Sequence, residues 1–91
     1  MAQVTFAKAL QRHVDCPPAT IEADTLRGVF DGYFAQFPAA RTYVLDEHGA
    51  VRRHIAVFVA GELIADRGGL ADGVDADDDV HVFQALSGGA T

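Results

Sequence analysis

Apolar residues recur along this chain in two rhythms. Near the start, Val4, Phe6 and Leu10 fall on one face at period two, with Lys8 interrupting the row, which predicts a strand over most of Val4 to Val14. Cys16-Pro17-Pro18 then predicts a turn, because each proline fixes its φ and has no N–H to donate. Thr20-Ile21-Glu22-Ala23 reads as a second short strand, and the two strands together as a hairpin.

From residue 26 the rhythm changes. Leu26, Val29, Phe30, Tyr33, Phe34 and Phe37 recur at spacings of three and four, which is one continuous helical stripe. Asp24 or Thr25 supplies the N-cap and Pro38 the stop. Gly28 and Gly32 lie off the stripe and each weaken the helix by roughly 1 kcal/mol relative to alanine. Burying six large apolar side chains at about 1.5–3 kcal/mol each outweighs that loss, so tertiary packing holds the helix. All six are expected in the core.

Beyond Pro38, Thr42-Tyr43-Val44-Leu45 leads into a turn at Asp46-Glu47-His48-Gly49. Arg53 to Val59 predicts a strand, Ala60-Gly61-Glu62 a tight turn, and Leu63-Ile64 a short return strand. Asp66 to Asp79 is rich in glycine and aspartate and reads as loop, anchored by Leu70 or Val74. Val80 to Leu86 is the last strand. Val80, Val82 and Leu86 share one face, and His81, Phe83 and Ala85 the other. Both faces are largely apolar, which predicts a central strand covered on both sides.

The order is hairpin, helix, two or three strands, final strand. A helix with one apolar stripe needs one sheet to cover it. The expected class is α+β: a mixed four- to five-stranded sheet with one main helix on one face and the last strand beside the first. That is the β-grasp arrangement of ubiquitin. Residues 1–86 form one domain, and residues 87–91 are expected to be a flexible tail.

Composition narrows the function. Thirteen acidic residues against seven basic ones give a net charge of −6, which argues against nucleic acid as a partner. The single cysteine, Cys16, excludes an internal disulfide framework and fits a reducing compartment. The opening MAQVTFAKALQR lacks the apolar run of a secretory signal. The most apolar stretch, residues 55–65, is short and broken by Glu62, so no membrane span is expected. The expected location is the cytoplasm.

The last strand runs into Ser87-Gly88-Gly89 and ends two residues later. Together with L26-R-G-V-F-D-G-Y-F-A-Q-F-P38, V51-R-R-H-I-A-V-F-V-A-G-E62 and D77-D-D-V-H-V-F-Q-A-L-S-G-G89, this pattern resembles the MoaD/ThiS family of small sulfur-carrier proteins. The resemblance covers nearly the whole chain, and the terminal Gly-Gly is its most specific element. Three positions depart from the family: Gln84 where proline is usual, Ala60 where asparagine is frequent, and Ala90-Thr91 after the diglycine.

The resemblance implies a carrier and not an enzyme, with no bound cofactor. An E1-like adenylating enzyme would use ATP to join AMP to the carboxylate of Gly89, and a sulfur nucleophile would displace AMP to leave a thiocarboxylate. A larger synthase subunit, as in molybdopterin synthase, or another sulfur-acceptor enzyme would then take the sulfur, in the molybdenum cofactor or thiamine pathway. The reactive carboxylate must lie on Gly89, so a metalloprotease is expected to remove Ala90-Thr91. Gly88 and Gly89 have no Cβ and suit a narrow channel. Phe83, Ala85, Leu86, Ser87 and His81, next to the tail, are the expected partner-binding residues. Arg52 and Arg53 are candidates to steer an acidic partner. A ubiquitin-like protein modifier and a non-catalytic binding module with an inert tail are the alternatives.

Other candidate chemistry is weaker. Asp75-x-Asp77-x-Asp79 begins like a calcium loop, but Val80 and Leu86 stand where that loop needs glycine and glutamate. His13, His48, His54 and His81 are scattered, which predicts no zinc site. On one strand, His13 and Asp15 would face away from Cys16, so Cys16 is expected to be a plain loop residue.

Overall fold

A computed structural model describes residues 1–84 of the chain. The chain order is β1 (Ala2–Phe6), α1 (Lys8–Gln11), β2 (Ala19–Ile21), α2 (Leu26–Gln36), α3 (Pro38–Val44), β3 (Ile55–Val59), β4 (Glu62–Leu63) and β5 (Asp79–Gln84). The five strands form one mixed sheet in the order β2-β1-β5-β3-β4. β5 lies parallel to β1, with Val4 opposite Val80, and antiparallel to β3, with Val57 opposite Val82. The expected β-grasp topology is therefore present, with the last strand in the middle.

The core forms between α2 and one face of the sheet. Val4 and Phe6 of β1, Ile55 and Val57 of β3, and Val80 and Val82 of β5 are buried, as are Leu26, Val29, Phe30, Tyr33 and Phe34 of α2. Phe6 meets Tyr33 with ring centroids 5.1 Å apart. Phe37, the last residue of the expected stripe, is only partly buried and packs 4.9 Å from Tyr33.

The start of α2 is satisfied from two directions. The Thr25 hydroxyl accepts from the Gly28 N–H at 3.2 Å, so Thr25 is the cap. The N–H groups of Leu26 and Arg27 donate to the carbonyls of Asp72 and Leu70 in the long loop. These are groups that a helix start leaves without internal partners. Both expected anchors are used: Leu70 and Val74 are buried.

Six expectations are corrected. The first strand stops at Phe6 rather than running toward Val14. The Ala7 N–H donates to Val82 O at 2.9 Å, and the chain then turns into α1, which buries Leu10 against the core. Spacing by four serves a helix as well as a strand, and Lys8-Ala9-Leu10-Gln11 are all strong helix formers.

Pro38 ends α2 but also opens α3, occupying the first helical turn, where its missing N–H costs nothing. Ala40 and Val44 seat this third helix. Two short helices therefore accompany the main one.

The third strand begins at Ile55 and not at Arg53, and the second spans only Ala19–Ile21. Gly32 is a packing residue and not merely a weak point: a Cβ there would lie 2.7 Å from Ile21 Cγ2. Finally, β5 is central but covered on one face only, since Phe83 is 39% exposed.

The aspartate-rich loop is ordered by its own carboxylates. Asp72 accepts the N–H groups of Ala65 and Asp66, each at 2.9 Å. Asp66 accepts those of Gly69 at 2.8 Å and Ala71 at 3.3 Å. No helix among the described residues is long and apolar enough to cross a membrane.

Candidate functional site

Strand alternation sends Val80 and Val82 inward, so His81 and Phe83 point out of the sheet on the side away from α2. The pairing register brings the rest of that face together. Thr5 of β1 lies opposite His81, Phe58 of β3 lies opposite His81 on the other side, and Leu63 of β4 lies opposite Phe58. A row of Thr5, His81, Phe58 and Leu63 thus crosses four strands, with Phe83 beside it.

The side chains on this face hold one another. The Thr5 hydroxyl and His81 Nδ1 share a hydrogen bond across the parallel pair. The His81 ring sits edge-on to Phe83 with centroids 4.2 Å apart, and Phe58 meets Phe83 edge-on at 5.3 Å. Such edge-to-face pairs contribute about 0.5–1.5 kcal/mol beyond the area they bury. A shallow concavity of about 520 Å³ results, lined by Gln3, Thr5, Phe58, Gly61, Asp79, His81 and Phe83. Leu63, 59% exposed, stands beside it. Large apolar side chains left facing solvent as a group mark an interaction surface.

The turn beside this face is tight. Ala60 and Gly61 both have positive φ, 52° and 83°, between paired Val59 and Glu62. This is the two-residue hairpin that calls for asparagine-glycine. Asparagine, frequent at position 60 in the family that the sequence resembles, suits this backbone better than alanine.

His81 and Phe83, expected from the sequence, therefore share one face. Ala85, Leu86, Ser87, Gly88 and Gly89, with Ala90-Thr91, lie outside the described residues. The chain runs on toward them from Gln84, the residue paired with Ile55 at the end of β5. Thr5, Phe58 and Leu63 were not anticipated as part of this face. Period-two reading of Ile55 to Val59 puts Phe58 opposite Ile55 and Val57, so that signal was available; the alignment with β1 and β4 was not.

Cys16 is buried, and burial, together with the charge of Asp15, raises its thiol pKa above the usual value. Both effects disfavour the thiolate, the reactive form of the thiol. The Tyr33 hydroxyl beside it donates to Pro17 O at 2.7 Å, and burial likewise pushes its pKa up. Among the described residues no group of three His, Cys, Asp or Glu side chains is placed to hold a metal.

Solved structures match this geometry over almost its full length. A chain of the BexX/CysO complex of Amycolatopsis orientalis superposes with a TM-score of 0.80 at 20% identity, covering 97% of this chain and 99% of that one. The chain has the ubiquitin-like β-grasp fold. CysO of Mycobacterium tuberculosis gives a TM-score of 0.79 at 22% identity, covering 94% of this β-grasp chain and 100% of its own. Small archaeal modifier protein 1 of Haloferax volcanii gives 0.73 at 21%, covering 93% and 97%. No protein-family model and no curated protein matches the chain.

Proposed function

We propose that this protein is a ubiquitin-like sulfur carrier whose working group is the carboxylate of Gly89, exposed once Ala90-Thr91 is removed. The observation that carries the reading is the position of Gly88-Gly89 in the sequence. Gly88 and Gly89 follow Gln84, the last described residue of the central strand, by four and five positions, and that strand carries an open apolar face.

In this scheme a carboxylate oxygen of Gly89 attacks the α-phosphorus of ATP on an adenylating enzyme, and pyrophosphate leaves. The acyl adenylate is then attacked at its carbonyl carbon by a sulfur nucleophile, and AMP departs with the bonding electrons. The resulting thiocarboxylate delivers sulfur to an acceptor enzyme, with the chain acting there as a small subunit. His81, Phe83, Phe58, Thr5 and Leu63 form the face on which partners dock. The site for ATP is the partner's.

The test is intact-mass spectrometry of the chain, with and without Ala90-Thr91, after incubation with an adenylating enzyme, ATP and a sulfur donor. The trimmed form gains the mass of sulfur replacing oxygen, and the untrimmed form does not. An unchanged mass for the trimmed form refutes the reading. A second reading is supported by the modifier named among the structural neighbours: the same activated glycine is passed to a lysine amine. It is distinguished by higher-mass conjugates in cell extract.

A further inference from the structure

The chain is acidic in total but not throughout: Lys8, Arg12, Arg52, Arg53 and Arg67 lie toward one end, while Arg27, in the first turn of α2, bonds the Gly69 and Gly68 carbonyls elsewhere. β5 ends at Gln84 opposite Ile55, so the start of β3 marks the end of the domain from which the chain runs on toward the diglycine. Parallel pairing of β1 with β5 brings Ala7, and with it α1, to the same end. Lys8 and Arg12 enter there on and just after α1, and Arg53 and His54 immediately before β3. His13 stacks on Tyr43 of α3 with centroids 5.6 Å apart, and Tyr43 meets His54 edge-on at 6.1 Å, which ties the three elements into one surface.

Arg52 and Arg67 lie beneath as framework. Arg52 Nε donates to Thr42 O at 2.8 Å, and one Arg67 nitrogen donates to Arg52 O and Ile55 O at 2.6 and 2.7 Å. Lys8, Arg12, His13 and Arg53 are exposed above them. Acidic groups near this end are Asp15, two residues after His13, Asp46 and Glu47 in the turn after α3, and Asp66, which precedes Arg67 and accepts from the Gly69 and Ala71 N–H groups. The Asp46 carboxylate is engaged by the N–H groups of His48 and Ala50 in its own turn.

The opposite end is acidic. Glu22, Asp24 and Asp75 border one hollow with Met1 and Val74, and Asp77, Asp78 and Asp79 lead into β5. The molecule is therefore an electric dipole whose positive pole lies at the end of the sheet that β5 reaches at Gln84.

We propose that Lys8, Arg12 and Arg53 form a basic collar that meets an acidic rim around the channel of the adenylating enzyme, orienting the carrier tail-first. This rests on the carrier reading above and adds to it the charge of the partner's surface. Two contacts then divide the task. The apolar sheet face supplies contact area, and the collar supplies orientation through a field that acts before contact. Collar contacts are peripheral, so they act on the rate of productive encounter and not on chemistry.

The test uses the chain ending at Gly89 and the adenylating enzyme purified by its ATP–pyrophosphate exchange in the presence of that chain. Exchange is followed against carrier concentration at low and high salt. Arg12→Glu/Arg53→Glu raises KM about tenfold at low salt, the lower end of the range for electrostatic steering. It leaves kcat unchanged and flattens the salt dependence. Lys8→Glu, on a different element, moves KM in the same direction. Asp75→Lys/Asp77→Lys, at the far pole, leaves KM at or near the wild-type value.

A thermal melt first shows that each variant is folded. An unchanged KM and salt slope in the folded Arg12/Arg53 variant overturns the collar while leaving the carrier reading intact. Absence of carrier-dependent exchange with the wild-type chain from any fraction overturns both.

Discussion

Ala60 offers a measurement of what one residue costs this fold. It adopts φ 52° at the first position of a two-residue turn, with Gly61 at 83° beside it. An L-residue with a Cβ pays about 1–2 kcal/mol to sit in the left-handed region, and glycine or asparagine pays less. The side chain is exposed and the turn is fixed by its backbone, with the Ala60 N–H donating to Asp79 O at 2.9 Å. Substitution therefore changes backbone strain and little else.

Ala60→Asn is expected to recover about 1 kcal/mol, and in a domain of this size that raises Tm by roughly 4–8 °C. Ala60→Gly removes the strain too, but adds about 0.5–1 kcal/mol of freedom to the unfolded chain, so its gain is smaller. Ala60→Val, β-branched, melts below the wild type. Calorimetry of the four proteins should rank them Asn, Gly, Ala, Val. An asparagine variant that melts at or below the wild-type temperature refutes the argument from φ.

Two further outcomes test the packing and the loop. Gly32→Ala gains about 1 kcal/mol of helix propensity. It also drives a methyl to 2.7 Å from Ile21 Cγ2, and overpacking of that kind costs about 1–3 kcal/mol. The denaturation midpoint should fall, and a rise would show that β2 yields freely. The Asp72 carboxylate has its pKa lowered by the N–H groups of Ala65 and then Asp66. A lowered folded pKa stabilises above the unfolded value of 3.8 and loses that stabilisation as pH falls through the folded value. Asp72→Ala should therefore unfold in less urea than wild type at pH 7, with the gap narrowing as pH falls below 3.8. A gap that persists at pH 2 would sink this account.

What could be read from the sequence was what neighbours along the chain decide. The α2 stripe, the Thr25 cap, the turn at Asp46–Gly49 and the reversal at Ala60-Gly61 each depend on a handful of consecutive residues. So did the topology, once one helix demanded one sheet. α1, four residues with one buried side chain, and α3, seven residues with two, escaped notice because so few buried positions carry no period. Their placement is settled by distant partners, such as Val82 O for the Ala7 N–H. The aspartates at 66 and 72 looked like solvated loop residues because their backbone partners lie within a fold that composition does not reveal. On the open face, His81 and Phe83 were legible from one strand. Thr5, Phe58 and Leu63 became visible only with the register of three other strands.

The strand that completes the sheet is also the last one made. Thr5 and His81, neighbours across β1 and β5, are 76 positions apart in sequence. A polypeptide stopping before Asp79 has β2 against β1 and β3 against β4, with nothing joining the two pairs, and two-stranded ribbons do not stand alone in water. Closure of the sheet thus waits on the last of the described strands. A protease that removes β5 therefore leaves two ribbons that no strand connects, so a sheet face made of Thr5, His81, Phe58 and Leu63 exists only in a chain intact from β1 to β5.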